Sequence, residues 1–320
     1  DASTGGGTSP TATTLVIAGD EPREDRADPG SDGGSAASRP ASAKGGAVHL
    51  NDVFDRVLVL NLDRRKDRWQ TMSEQLTRLG IKAERMSAVD GTSPNVAAEY
   101  EAYRSSPLAT LSKDVPAIRF DGDFYFRYPS QRARVAWIEG ASGRKAVTSA
   151  GAWGYLRSYE RILEQALEQQ IESLLVFDDD VALHSDFKTM FAEAMEQLPA
   201  DWLVVQLGTL QYNWSEPWVQ WRGSRLYQPN GCVVGSHAVG MRFDIYPFLL
   251  DQLRRMDLPY DVGALSAATR AFPDQCFVIS PNLAIQRFHD SDVATVEFPN
   301  GRNLADMAAT FRWNLSEYNL

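Results

Sequence analysis

Two short stretches of this chain place like charges where they are costly. Residues 174–183 read LLVFDDDVAL, an apolar run that ends in three consecutive carboxylates, Asp178, Asp179 and Asp180. Like charges side by side repel one another unless a cation or a wide solvent shell attends them. That stretch therefore asks for an ion. Residues 61–68 read NLDRRKDR and gather four cations at the start of an expected helix. Cations there are mildly unfavourable, by about 0.3–1 kcal/mol each when exposed. A bound anion reverses the sign, because helix-start amides and guanidinium forks supply a diphosphate with both charge and directed donors. A solvated helix start, with ion pairs to Asp63 and Asp67, accounts for the same residues. Together, a basic turn and an acidic triplet form the two halves of a metal–diphosphate site, in which the ion bridges carboxylate and phosphate oxygens.

The elements that must bring these turns together are legible in the hydrophobic pattern. Residues 57–60, Val-Leu-Val-Leu, suit a strand covered on both faces, and Trp69, Met72, Leu76 and Leu79 then recur at helical spacing until Gly80. A second helix is expected over residues 152–167, with Trp153, Leu156, Tyr159, Leu163 and Leu167 on one face, followed by a strand at 174–177. Ser185 is expected to cap a helix bearing Phe187, Met190, Phe191, Met195 and Leu198, and residues 202–207 read as another buried strand. Alternating strands and helices predict an α/β layered fold. In such sheets ligands gather beyond the carboxyl ends of the strands, where Asp178 to Asp180 would lie.

Composition bounds the partners. The chain has 320 residues, 43% of them hydrophobic with eight tryptophans, enough for a sizeable core. A formal charge of −10 argues against general affinity for nucleic acid or an anionic membrane, so any phosphate site must be local. Cys232 and Cys276 lack metal or redox spacing and read as buried thiols. No apolar run approaches the roughly 20 residues of a membrane span, and no signal-peptide layout opens the chain. The expectation is a soluble, cytoplasmic protein, at most peripheral at a membrane, although a chain beginning at Asp1 leaves room for a removed upstream segment. Residues 1–46 are rich in Gly, Ser, Ala, Thr, Pro and Asp and read as a disordered tail or linker, leaving 47–320 as the folded domain.

Five stretches in order resemble glycosyltransferase family 25, which includes bacterial lipopolysaccharide glycosyltransferases and collagen β-galactosyltransferases. They are VLVLNLDRRKDRWQTMSEQLTRLGI with the following Ala88-Val89-Asp90-Gly91; TSAGAWGYLRSYERIL, similar to the family's Gly-x-x-Gly helix; LLVFDDDV, where Asp178 replaces the family's Glu; GSHAVGMRFDIYPFLL; and VISPNLAIQRFHDSDV. Tyr155 and Tyr159 depart from the family's usual Cys and His. The resemblance implies a Rossmann-like nucleotide-diphospho-sugar transferase fold of the A type, a UDP-sugar donor carrying galactose or glucose, a hydroxyl acceptor on a glycan or another molecule, inversion at the anomeric carbon, and a divalent ion, Mn²⁺ or Mg²⁺. It implies that Asn61, Arg64, Arg68 and Asp90 meet the nucleotide or its phosphates. Asp178 and Asp180 would form the metal motif, Asp180 by direct contact and Asp178 through water or on the ribose, with Asp179 facing the sugar or serving structure.

An inverting transfer needs a base for the acceptor hydroxyl. Asp261, in LPYDVGAL, stands where the family has an Asp; an N-cap for a helix beginning at Val262 is the plainer role, and Asp274 and Asp244 are lesser candidates. His289, beside Asp290, Ser291 and Asp292, either completes the metal shell or is a surface histidine. His237 reads as an interior histidine or a donor-sugar contact. Trp202 suits the core, whereas Trp214, Trp218 and Trp221 suit an acceptor site, since aromatic faces stack on sugars. Residues 119–129 read as a hairpin beside the acceptor. Two other classes share some of these features. A nucleotidyltransferase or phosphotransferase would also use acidic strand ends, but neither a P-loop nor a Gly-rich loop follows the first strand. A non-catalytic relative would bind a nucleotide sugar or glycan without turnover.

Overall fold

Residues 57–60 are apolar throughout because both sides of their strand are covered. In β1 (Arg56–Asn61), Leu58 and Leu60 enter one core cluster and Val57 and Val59 the other. The computed structural model describes residues 48–110, 131–216, 218–229, 233–287, 292–293 and 304–320. The expected hairpin at 119–129, together with His289 and Cys232, lies outside them.

The chain runs α1 (Leu50–Val53), β1, α2 (Lys66–Leu79), β2 (Glu84–Ser87), α3 (Pro94–Ser105), α4 (Gln131–Ser142) and α5 (Ala150–Glu168). Next come β3 (Ser173–Asp178), β4 (Val181–Leu183), α6 (Phe187–Gln197), β5 (Val204–Gln211), β6 (Val219–Trp221), β7 (Leu226–Pro229) and β8 (Val233–Arg242). It closes with α7 (Tyr246–Leu253), a π-helical turn (Asp261–Leu265), α8 (Ser266–Ala271), β9 (Cys276–Ile279), β10 (Ala284–Gln286) and α9 (Leu304–Phe311).

Eight strands form one mixed sheet in the order β2-β1-β3-β8-β5-β9-β7-β6. β1 pairs in parallel with β2 and β3, and β5 with β9, while β8 runs antiparallel between β3 and β5. The expected α/β layering is present. On one face α5, α7 and the π-turn bury Leu156, Tyr159, Leu249 and Leu265 against the sheet; on the other, α1, α2 and α6 bury Leu50, Met72, Leu76 and Phe191. Each such side chain contributes about 1.5–3 kcal/mol relative to exposure. Trp202 belongs to this core, edge-on to Phe54 at 5.9 Å.

Two local expectations need correction. The strand expected at 202–207 begins at Val204, because the Leu203 and Val204 amides both turn to the Gln275 carbonyl before the ladder starts. Ser185 is not the cap of α6. Asp186 holds that position, the amide of Ser185 donates to Glu317 O at 2.7 Å, and His184 receives the helix-start amides of Asp186 and Phe187.

Candidate active site

The acidic triplet is a tight turn between β3 and β4, and three contacts hold it. The Arg287 amide donates to Asp180 O at 3.0 Å, β10 pairs with β4, and the buried Gln75 side chain bonds the Val181 carbonyl and the Leu183 amide, each at 3.0 Å. The three carboxylates then differ. Asp178 accepts from the Tyr155 hydroxyl, 3.0 Å from Oδ1 and 3.3 Å from Oδ2. Asp179 accepts from Asn61 Nδ2 at 2.6 Å and from Arg68 at 3.2 Å, so it ties the acidic turn to the basic one. Asp180 Oδ2 lies 3.8 Å from Arg68, while its Oδ1 is buried with no hydrogen-bond partner among the described residues. Burial, then the charge of Asp180, pushes Asp178 well above the usual carboxylate range. Burial likewise raises Asp180 to about 6 despite the opposing pull of Arg68.

The basic turn follows β1 and precedes α2, whose first turn has no side-chain cap. Its arginines are engaged inside the molecule. Arg64 meets Asp90 at 3.1 Å and Asp292 at 2.7 Å, Arg65 meets Asp67 at 3.0 Å and Asp292 at 2.7 Å, and Arg68 lies 3.6 Å from Asp292. The hydrogen bond that Arg64 donates to Asp292 raises the affinity of Arg64 for its proton. Asp90 feels burial, but the Thr92 amide and hydroxyl and Arg64 outweigh it and hold the carboxyl below its ordinary value. Asn61, expected at the nucleotide, is instead 1% exposed and fully used: its amide donates to Arg65 O and Asp179 and accepts from Arg85. It positions the basic turn and does not line the cavity.

The Gly-x-x-Gly spacing at the start of α5 allows backbones to touch. A Cβ on Gly154 would stand 2.4 Å from Val89 O, and one on Gly151 would stand 1.9 Å from Asp292 O. The loop carrying Asp90 and the strap carrying Asp292 therefore both rest directly on α5. Ser149, the α5 N-cap, accepts from the Ala152 amide and donates to the Val293 carbonyl.

These elements enclose a cavity of about 570 Å³, within the usual range of small-molecule sites. Arg64, Arg68 and Asp90 lie along one stretch of its wall, with Asp178, Asp179 and Asp180 beside them. Asp261 also lines it. It opens the π-turn and does not cap it: Tyr260 holds the cap position, and the Asp261 carboxylate accepts from the Gly235 amide at 2.8 Å and its neighbour Val262 at 2.9 Å. Burial raises its pKa, which strengthens it as a base. Three further residues at the cavity received no role from the sequence: Tyr155, Ser236 and Asp292. The run of polar residues around Asp292 was the only local hint, and its arginine partners are more than 220 positions away.

Other candidates fall elsewhere. His237 is fully buried, 3.1 Å from Ala284 O, with its pKa lowered by burial to about 4, so it is an interior histidine. Asp244 and Asp274 are exposed and do not line the cavity. Nor do the tryptophans expected to bind acceptor: Trp221 is exposed beside Tyr227, Trp214 packs against Tyr227 and Arg312, and Trp218 is buried near Val234. Cys276 is buried, and that burial lifts its thiol to about 12.

Among the described residues no three His, Cys, Asp or Glu side chains form a metal cluster. Asp178 and Asp180 nevertheless suit a hard divalent ion that shares its coordination with phosphate and water. Both are half-buried carboxylates at one cavity wall, and the buried Asp180 Oδ1, with no hydrogen-bond partner among the described residues, is the kind of atom such an ion satisfies. The arrangement can hold an anion at Arg64 and Arg68, a cation at Asp178 and Asp180, and a proton at Asp261.

Comparison with known proteins gives a family. The family described as Glycosyltransferase family 25 (LPS biosynthesis protein) matches residues 54–239. The chain is similar to the bovine protein named "Probable inactive glycosyltransferase 25 family member 3", 29% identical over 163 residues, and to the human "Procollagen galactosyltransferase 2", 26% identical over 168 residues. These matches cover 50% and 51% of this chain and 22% of each relative, so the chain spans about a fifth of their length.

Proposed function

The chain belongs to glycosyltransferase family 25, and from that premise we propose that it transfers a hexose, galactose or glucose, from a UDP donor to a hydroxyl of a glycan or another acceptor, inverting the anomeric carbon. The fold in this reading is the A type of nucleotide-diphospho-sugar transferases, formed by residues 47–320, with residues 1–46 as a tail or linker. The observation that carries the reading is one cavity lined by a basic turn, a half-buried acidic turn and a further half-buried carboxylate, Asp261.

Arg64 and Arg68 bind the diphosphate, Asp90 orients Arg64, and Asp179 and Asn61 hold Arg68 and its turn in register. Asp178 and Asp180 would hold a divalent ion, Mn²⁺ or Mg²⁺, which when bound offsets the charge of the leaving diphosphate. Asp261 takes the proton of the acceptor hydroxyl as its oxygen attacks the anomeric carbon on the face opposite the diphosphate; the bond to the diphosphate oxygen breaks with its electron pair. The amides of Gly235 and Val262 orient that carboxylate.

One relative is named inactive and another a galactosyltransferase, which keeps a non-catalytic nucleotide-sugar binder as the second reading. One experiment separates them. Melting temperature is measured with a panel of nucleotide sugars, with and without Mn²⁺, and UDP release is measured with the stabilising donor, for the parent, Asp180→Ala and Asp261→Asn. The transferase reading expects Mn²⁺-dependent stabilisation that Asp180→Ala abolishes, and UDP release that falls roughly 10²–10⁴-fold in Asp261→Asn. Stabilisation without UDP release, with or without sugar and glycan acceptors, would favour the binder.

A further inference from the structure

A continuous hydrogen-bonded wall joins Asp178 to Asp261. Asp178 contacts the Tyr155 hydroxyl at 3.0 and 3.3 Å, and that hydroxyl lies 2.8 Å from Ser236 Oγ. Gly235, next to Ser236 in the chain, donates its amide to Asp261 Oδ2 at 2.8 Å. Gly235 adopts φ +90°, which side chains rarely tolerate, and its carbonyl accepts from the buried Gln206 Nε2 at 3.0 Å. The Gly235-Ser236 step is thus fixed from both sides. Tyr155, Gly235 and Ser236 all line the cavity.

The chemistry of transfer sets the sugar against this wall. The anomeric carbon is bonded to a diphosphate held at Arg64, Arg68 and the acidic turn, and the oxygen that attacks it must lie within reach of Asp261. The ring therefore spans the interval between them, where Tyr155 and Ser236 are the polar side chains of the connecting wall. Their contacts assign them different tasks. The Tyr155 hydroxyl is committed to Asp178, 3.0 and 3.3 Å from its two carboxylate oxygens. Ser236 Oγ touches Tyr155 at 2.8 Å and also lines the cavity. A hydroxyl has one donor and two acceptor positions, so Ser236 Oγ keeps hydrogen-bonding capacity for a group in the cavity.

Resting on the UDP-sugar reading, we infer that Ser236 is a specificity-determining residue that hydrogen-bonds one ring hydroxyl of the donor sugar, while Tyr155 is a positioning residue that orients Asp178. The two roles separate in a binding experiment without turnover. Dissociation constants for UDP, UDP-galactose and UDP-glucose are measured in Mn²⁺ for the parent, Ser236→Ala, Ser236→Thr and Tyr155→Phe. Ser236→Ala is expected to weaken the preferred UDP-hexose about 5–10-fold, the worth of one hydrogen bond, and to leave UDP within about twofold. Ser236→Thr, which keeps the hydroxyl, restores the difference between hexose and UDP. Tyr155→Phe weakens UDP and UDP-hexose by one common factor.

A series of UDP-deoxyhexoses on the parent protein makes the test independent of how the variants fold. A single deoxy position should cost the parent about 5–10-fold and Ser236→Ala nothing further. Equal effects of Ser236→Ala on UDP and UDP-hexose, or no effect on either, would overturn the assignment and leave the transferase reading standing. Failure of the folded parent to bind UDP and both UDP-sugars would overturn the transferase reading itself.

Discussion

The two charged turns that meet at the cavity are opposites in more than sign. At the basic turn every guanidinium has a carboxylate within about salt-bridge distance: Asp90 and Asp292 for Arg64, Asp67 and Asp292 for Arg65, Asp179 for Arg68. At the acidic turn two half-buried carboxylates, Asp178 and Asp180, repel each other, and one oxygen of Asp180 has no hydrogen-bond partner among the described residues. The basic half is electrostatically complete before any donor arrives, and the acidic half is not. An anion entering the basic half exchanges one set of partners for another, a transaction of modest net free energy. A cation entering the acidic half removes a desolvation penalty already present in the folded chain.

The sharpest way to break this contrast is Asp180→Asn. It is expected to lower turnover roughly 10²–10³-fold, the scale seen when a charge that stabilises a transition state is removed. It should also raise the melting temperature of the metal-free protein at neutral pH, because a buried repelling charge is gone. A fall in melting temperature would show that the acidic half is already satisfied and the contrast false. Arg68→Ala comes next. Loss of charge-assisted hydrogen bonds, worth about 1.5–3 kcal/mol, should weaken UDP binding roughly 10–100-fold. It should also push the Asp180 carboxyl further upward, since Arg68 opposes its rise. Titration of Asp180 followed by NMR, compared with the parent, checks that direction.

The smallest effect is the most diagnostic, because the two halves titrate with opposite sign. Asp180 holds its proton to about pH 6 in the folded chain, against about 3.9 for an unfolded aspartate. Its stabilising contribution is complete below the unfolded value and is lost as pH rises through about 6. Asp178 and Asp261 shift in the same direction. At the basic half, Asp67 is held down to about 2 by Arg65, and Asp90 is also lowered. Their contributions are present above about pH 4 and fade as pH falls below it. The metal-free melting temperature should therefore decline by several degrees from about pH 4 to 7. Mn²⁺ with UDP should flatten that decline, whereas a profile equally steep with both ligands would count against a cation at Asp180.

Much of this arrangement can be read from local sequence, and what cannot be read is non-local. The runs at 57–60 and 174–177 announced strands because a strand covered on both faces needs every position apolar, and the acidic triplet betrayed itself by its own cost. Asp292 had no such signal. Its meaning lies in arginines brought to it only when the last part of the chain lies down on Gly151. Asn61 was legible as polar at a strand end, but whether its amide turns to a ligand or to Asp179 depends on a partner 118 positions away. The tryptophans misled because their spacing in an irregular stretch resembles a sugar platform, while the β6–β7 hairpin carries Trp221 to the edge of the sheet. Tyr155 stood out only as a departure from the family's usual residue and Ser236 not at all, because each acquires a task only through the contacts that join Asp178 to the Gly235-Ser236 step.

The pairing of β10 with β4 carries a temporal consequence. The turn that presents Asp180 follows β3, which ends at Asp178, yet its carbonyl is held by the amide of Arg287, and its outgoing strand by residues 284–286. A nascent chain emerging from the ribosome in order, N-terminus first, can assemble β1, β2 and β3 and still lack the clamp that fixes the carboxylates. The turn that presents Asp180 is thus left unclamped until residues 284–287 have been made, so the carboxylates that would hold a cation are fixed after β1, β2 and β3 in the order of synthesis.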